Sequence, residues 1–438
     1  LSAARAARLL VPIGVLLATA APAAPPAATA DAPPATYVTR PGDTLIGIAD
    51  RALVKQQDWR PVARINKVDD PHRMPVGKPL VIPDPLLRRE PFDARIAAWS
   101  GQVRLSPDKP VAAGTMVGPG TIVETGANSF VTLLLADGSK VTLPSQSRVR
   151  IDRLDRVALD GHVDRGFTVL EGRGDFAVPK RERPADRFLV KTPVAVAAVR
   201  GTQFRVDHRS PASIITVVEG DVAGRSLAAR GDTGIARGQG AVVAAESARL
   251  APLLPPPRLE NPGRVQDDPE VVLEIAPLGV RRHVVLARDA GFVDAFAEAE
   301  SADPVIRLAD VPNGSLYARL TAIDADGIEG LPADYELDRY QTGLAADATS
   351  LPRRPRRTRF AWTASGAGVP RFDFVLARDA ALNDRVVDAP GLTVNDLTVT
   401  GLAPGDWFWQ VSMLMQDGEK TRIRRLPVRK LTIAAGNR

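Results

Sequence analysis

The stretch Ala197-Ala198-Val199-Arg200-Gly201-Thr202-Gln203-Phe204-Arg205-Val206 joins two alternating apolar runs at a single Gly-Thr corner. Phe188-Leu189-Val190-Lys191-Thr192-Pro193 and Val194-Ala195-Val196 precede it, and the run Ile214 to Val218 follows. Period-two alternation interrupted by one glycine predicts a strand, a tight corner at Gly201 and a further strand. Thr202 is expected to satisfy a buried backbone group there. Alternation sets Arg200 opposite to Val199 and Arg205 opposite to Phe204, so the two arginines could meet an acidic partner on an exposed face. No catalytic constellation accompanies the corner.

Upstream, strands are expected over Gly120–Thr125, Phe130–Leu135, Val141–Leu143, Val149–Ile151 and Phe167–Leu170. Asp137-Gly138 is a hairpin signal between the second and third. A turn is expected at Glu171-Gly172-Arg173-Gly174. Runs of strand separated by turns, with almost no helical periodicity, indicate an all-β domain over residues 97–250.

Leu135-Ala136-Asp137-Gly138-Ser139, Glu171-Gly172, Thr192-Pro193, Val199-Arg200-Gly201-Thr202-x-Phe204-x-Val206, Glu219-Gly220-x-Val222 and Gly238-Gln239-Gly240 together resemble a FecR domain. Members of that family named for iron-uptake signalling sense an outer-membrane receptor and control a sigma factor. Eight residues precede the apolar run near the start of this sequence. The resemblance is therefore taken to imply a fold and an envelope interaction role, with signal relay as the alternative.

The first residues carry Arg5 and Arg8, the apolar run Leu9 to Leu17, and Ala18-Thr19-Ala20 as an A-x-A site. That order is expected of a cleavable signal peptide over residues 1–24, with a retained anchor as the alternative. No other stretch is long and apolar enough to span a bilayer, so no membrane span is expected in the mature, periplasmic or exported chain. Residues 25–35, rich in Ala and Pro, are expected to be an extended spacer.

Tyr37-Val38 then reads as a strand and Pro41-Gly42 as a turn. Asp43 or Thr44 caps a helix bearing Leu45, Ile48, Ala49 and Ala52. A second helix carries Trp59, Val62, Ala63 and Ile65, and ends near Asn66. Met74-Pro75-Val76-Gly77 turns into a last strand, Leu80 to Pro83. Gly42-Asp43-Thr44-Leu45-x-x-Ile48-Ala49, Trp59, Asn66, Gly77 and Leu80-x-Ile82-Pro83 resemble a LysM domain over residues 36–84. The resemblance implies a βααβ module that binds the N-acetylglucosamine of peptidoglycan. The implied contacts are Gly42, Asp43, Thr44 and Leu45, facing Asn66 and Met74, Pro75, Val76 and Gly77. Residues 84–96 read as a linker.

Beyond the prolines of residues 251–265, expected to form a semi-rigid boundary, the sequence repeats itself. Val284-Val285-Leu286-Ala287-Arg288-Asp289-Ala290 matches Phe374-Val375-Leu376-Ala377-Arg378-Asp379-Ala380, and Asp326-Gly327 aligns with Asp417-Gly418. Two tandem β-sandwiches are expected, over residues 266–345 and 359–436. Val311 to Tyr317 and Leu402 to Phe408 resemble the turn-and-aromatic pattern of fibronectin type III domains. Arg353-Arg354-Pro355-Arg356-Arg357 reads as a basic connector between the copies, and Trp407 with Trp409 as core.

The fold class is thus mainly β and multidomain. The chain has 438 residues, no cysteine, four scattered histidines and a net charge of +6. Absence of cysteine removes disulfides, thiol nucleophiles and thiolate metal sites. Scattered histidines argue against a metal centre. No cofactor, metal or catalytic residue is expected, and no nucleic-acid partner. The expected role is a non-catalytic envelope protein that binds peptidoglycan and presents its β domains to an envelope protein partner. The enzymatic alternative is a wall-remodelling glycosidase drawing on Glu171, Asp175 and Glu219.

Overall fold

The computed structural model describes residues 35–180, 186–227, 233–351, 357–366, 368–417 and 420–434. The expected signal peptide over residues 1–24, and all of the expected Ala/Pro spacer but residue 35, lie outside them. The chain is mainly β and multidomain with a small helical N-terminal region. It divides into two compact units, residues up to Arg89 with Ala158–Asp160, and Glu90–Val157 with Gly161–Arg438.

In the first unit the order is strand Ala35–Val38, helix Leu45–Ala52, helix Trp59–Asn66 and strand Pro79–Ile82. The two strands pair antiparallel, with Tyr37 opposite Leu80. Leu45, Ile48, Ala49 and Ala52 are buried, as the helical spacing requires. Ile65 is not: it is 49% exposed, because Val62 and Ala63 alone supply the inward face of the second helix. The Lys55-Gln56-Gln57 insert becomes a separate 3-10 turn, Gln56–Asp58, after the first helix ends. Residues 84–96 are no free linker, since Asp84–Leu86 forms a 3-10 turn and Ala94–Ser100 is already a strand.

The second unit begins with the large β domain. Its core gathers Phe167, Phe176, Phe188 and Phe204, all buried, with Phe176 and Phe204 stacked at 5.0 Å between ring centroids. Two sequence-predicted turns prove to be bends within long strands. Val163–Ala177 runs straight through Glu171 to Gly174, with Gly172 at φ +69°. A side chain at Gly172 would meet the Gln146 carbonyl oxygen at 2.3 Å, so the bend depends on glycine.

Ala195–Arg209 is likewise one strand, and its corner is a pair of bulges. Arg200 faces Asp221 and Gln203 faces Glu219, so Gly201 and Thr202 oppose the single residue Gly220. Phe204 then faces Val217, which leaves Val218 as an extra residue on the other strand. The kink changes the strand's second partner. Upstream, Val196 to Ala198 pair with Leu189 to Lys191; downstream, Gln203 to His208 pair with Gly172 to Ala177. Thr202 does not use its hydroxyl as expected. Its Oγ1 is buried without a hydrogen-bond partner, and its carbonyl accepts from the Val178 amide at 2.9 Å.

Two two-layer sandwiches follow. In the first, Val271–Glu274 and Val305–Leu308 face the four strands Ala295–Ser301, Arg281–Ala287, Gly314–Ile323 and Ala333–Arg339. Val271, Leu273, Leu286 and Leu320 fill the space between. In the second, Phe360 and Trp362 of one sheet pack on Phe374 and Trp409 of the other. Trp407 and Trp409 are both core residues. The strand Gly343–Leu351 pairs with Arg357–Ser365, so the arginine-rich run joins two strands of one sheet rather than connecting the copies. Residues 352–356 of that run lie outside the described residues, while Arg357 and Arg359 belong to a strand. The proline-rich stretch is not a spacer either. The Leu254 carbonyl accepts from Leu331, and the Pro257 carbonyl from the Tyr335 hydroxyl.

A methyl group at Gly220 would lie 2.6 Å from the Gly201 carbonyl oxygen, on a residue held at φ +80°. Gly220→Ala is expected to cost about 1–3 kcal/mol in urea unfolding. Gly234→Ala, which meets nothing within 4 Å, should cost far less and serves as the reference.

Candidate functional site

Residues of the large β domain and of the first sandwich assemble a strongly charged buried site in the second unit. Glu329 enters on the loop after Gly314–Ile323, between Gly327 and Gly330. A side chain at Gly330 would meet the Leu254 carbonyl oxygen at 2.7 Å, and one at Gly327 would meet Ile214 at 3.2 Å. The two glycines therefore let the loop press onto the β domain. Its carboxylate accepts from Arg173 Nη1 at 2.6 Å and lies 3.9 Å from Arg205 Nη1. The same Arg205 nitrogen donates to the Gly330 carbonyl at 3.1 Å. Thr321 also donates its hydroxyl proton to Glu329.

His283 lies beside it, its side chain 3% exposed. Nδ1 is 3.1 Å from Glu329 Oε1 and Nε2 is 3.0 Å from Glu298 Oε2. Glu298 in turn accepts from the Ser145 amide of the β domain at 3.2 Å. Two carboxylate acceptors require two N–H donors, which only the imidazolium possesses. Burial works against that charge, but Glu329 and Glu298 outweigh it and raise the His283 pKa to about 9. Burial also pushes Glu298 up, and His283 and Arg173 overcome it, bringing it to about 2. Glu329 is held well below the usual carboxylate range against its own burial, chiefly by Arg173, Arg205 and His283. Asp207, also near, is raised by burial.

Apolar contacts flank the charges. Phe292 of the sandwich packs with Phe130 of the β domain, and the Arg319 guanidinium lies 4.0 Å from the centroid of the Phe292 ring. Lys140 donates to the Gly291 carbonyl.

Above this network opens a cleft of about 1310 Å³. Separate parts of the β domain converge on it: Glu124 to Gly126, Pro144 to Arg148, Leu170 to Arg173, and His208 to Ser210. Glu298, Ala299 and Glu300 of the strand Ala295–Ser301 form the opposite wall, and that strand is hydrogen-bonded on one side only. The lining is polar and of mixed charge. Glu171 is exposed in this cleft, Asp175 is 3.2 Å from Arg173 Nε, and Glu219 is exposed on the strand Ala212–Ser226. Arg205 is buried rather than on an exposed face; its acidic partner is Glu329 of the same chain.

The residues expected to touch glycan lie in the first unit. Hydrogen bonds from Thr39 Oγ1 to the Pro75 carbonyl at 2.6 Å and from the Leu45 amide to the Pro71 carbonyl at 2.8 Å bring the two loops together. Gly42, Pro75, Val76 and Gly77 are exposed, and Met74 is half-buried. Leu45 is fully buried. Thr44 caps the first helix, its Oγ1 accepting from Gly47. Asp43 binds the Tyr37 hydroxyl, the Arg40 amide and Arg51. Burial raises the Asp43 carboxyl, but these partners hold it below its ordinary range. The Asn66 side chain is spent on both the amide and the carbonyl of Val81. The exposed rim is therefore Gly42 and the Met74–Gly77 turn, with the other four residues shaping it.

Sequence reasoning did not find Arg173, His283, Glu298 or Glu329 as a group. The available signal was Gly327-Ile328-Glu329-Gly330, a carboxylate carried between close-approach glycines.

These features define a mainly β multidomain protein whose large β domain and first sandwich share a charged joint and a polar cleft. Residues 121–223 match the family model described as FecR protein. Two crystal structures of a candidate anti-sigma factor from Parabacteroides distasonis ATCC 8503 are 18% identical, with a TM-score of 0.25. Each comparison covers 30% of this chain and 59% of that one, so the chain spans under two thirds of its length. A structure of the receptor tyrosine kinase Torso is 14% identical over 39% of this chain and 72% of that chain, at a TM-score of 0.15. The three N-terminal domains of the bacteriophage RB49 outer capsid protein Hoc are 9% identical over 61% and 96%, at 0.20. No curated protein matches the chain.

Linkage gives the charged joint a pH window. The His283 contribution is fully present below the unfolded value of 6.5 and is lost as pH rises through about 9. The Glu298 contribution is present above 4.5 and is lost as pH falls through about 2. Urea unfolding at pH 3, 5.5 and 9.5 should find the middle value most stable. Glu329→Ala leaves Arg173, Arg205 and His283 without their common counter-ion and should cost about 3–5 kcal/mol.

Proposed function

We propose that this chain is a non-catalytic, FecR-type signal-relay component of the cell envelope. The observation that carries this reading is the FecR match over residues 121–223, whose converging loops line the cleft. Relay by such a protein requires recognition of another protein, and a rigid scaffold that gathers several loops at one place suits that task. The first sandwich supplies the second wall of the recognition site, and the second sandwich, read as a fibronectin type III-like module, extends the scaffold. Export by a cleavable leader would place these parts in the periplasm. Among the described residues, no helix is long and apolar enough to cross a membrane.

Deleting residues 97–345 should alter transcription of a transport or stress operon under the relay's control, and Glu171→Trp, which obstructs the cleft, should reproduce the change. If both transcriptomes match the parent while each protein accumulates normally, the relay reading is wrong.

A LysM-like tether accompanies this role. The paired terminal strands, the two intervening helices and the exposed Gly42 and Pro75–Gly77 rim favour it. Exposed backbone beside an apolar Val76, 63% exposed, suits an N-acetyl sugar. Purified protein should sediment with insoluble peptidoglycan, and a version lacking residues 36–84 should stay in the supernatant. Undiminished sedimentation of the shortened protein would overturn the tether.

A further inference from the structure

We infer that the joint beneath the cleft is a proton-operated latch, in which loss of the His283 proton frees the strand Ala295–Ser301 of the first sandwich from the large β domain. The inference concerns the joint itself and holds whatever the cleft binds.

Geometry makes the case. His283 is the only bridge between Glu298 and Glu329 that the described hydrogen bonds contain, and each carboxylate reaches across the joint by a different route. Glu329 reaches Arg173 and Arg205, and Glu298 reaches the Ser145 amide. A neutral imidazole keeps one N–H, so one of the two carboxylates, 3.0 and 3.1 Å away, would face a nitrogen lone pair. Two buried carboxylates would then repel each other with the cation that bridges them gone and Arg173 alone left acting on both.

The remaining groups do not replace it. From the strand Val163–Ala177, Arg173 faces Glu329 and Asp175; from Ala195–Arg209, Arg205 faces Glu329, and Asp207 stands beside Arg209 and Arg173. Thr321 contributes only a hydroxyl from its own strand. Arg173 and Arg205 both hold Glu329, so Glu298 has no guanidinium within ion-pair distance among the described contacts and is the carboxylate that lets go. Glu298 lies on Ala295–Ser301, the strand that walls the cleft. Its release moves that wall, so the latch controls the width of the opening.

The chain has no cysteine, so Gln146→Cys and Glu300→Cys place two spin labels on opposite walls of the cleft in the full-length protein. At pH 6 the label separation should be single and narrow. Between pH 7 and pH 10 a longer separation should grow about tenfold or more, as a group releasing its proton near pH 9 requires. Glu298→Gln, whose amide accepts either ring state, should remove this response while keeping the narrow separation. In parallel, the His283 ring resonances of the unlabelled parent should titrate with the same midpoint, which tests the latch without any substitution at the joint. A separation that is constant from pH 6 to pH 10, or a transition that persists unchanged in Glu298→Gln, would overturn the latch.

Discussion

The Glu329 carboxylate, buried among Arg173, Arg205 and His283, is the contact on which the second unit depends. A charge taken out of water is costly unless its partners are already in place. Here two partners come from the large β domain and the third from the sandwich that carries the glutamate. Neither half can satisfy the group alone, so the pair of domains behaves as one body. Polar interfaces between domains ordinarily permit relative motion. This one restricts motion because separation would take Arg173 and Arg205 away from Glu329 together, and Phe292 against Phe130 removes the apolar area that water would otherwise enter.

The bulges at Gly201 and Gly220 are upstream of that contact in a physical sense. Past the kink, the strand leaves its Leu189–Lys191 partner and lies beside Gly172–Ala177. That change of partner sets Arg205 opposite Asp175, two residues from Arg173, and so gathers both guanidiniums on one patch. Without the extra residue at 201–202, period-two alternation would send Arg205 to the other face of the sheet. The corner thus serves recognition at one remove: it aims an arginine at a carboxylate more than a hundred residues away.

Much of this was legible in the chain. The helix positions Leu45, Ile48, Ala49 and Ala52, the Asp137-Gly138 hairpin and the paired tryptophans follow from local periodicity and turn chemistry, which short stretches encode. Glu171-Gly172 and Gly201-Thr202 read as turns because glycine at positive φ marks turns and bulges alike, and only the partner strand tells them apart. The joint was invisible for a different reason. Arg173, His283 and Glu329 are far apart in sequence, and each is an ordinary surface residue until another domain covers it. The same holds in the first unit, where Asp43 and Asn66 hold the Arg40 amide and Val81 by hydrogen bonds that no spacing in the sequence announces.

The internal repeat sets the sandwich at the joint beside a second copy, which meets the first through Arg422 on Asp338 and Arg424 on Asp268. Both copies keep the same loop: Asp289 accepts from the amides of Gly291, Val293 and Asp294, and Asp379 from those of Ala381, Asn383 and Asp384. Phe292 and Leu382 occupy the same left-handed position, at φ +53° and +59°. The scaffold is therefore common, and the difference lies in the side chains it carries. Where the first copy has His283 and Phe292, the second has Asp373 and Leu382; by the downstream offset, Glu329 corresponds to Lys420. A lysine presented to Arg173 and Arg205 would replace attraction by repulsion, so the wrong copy is rejected by charge as the right one is held by it. The two modules share a scaffold and differ in sign at this position.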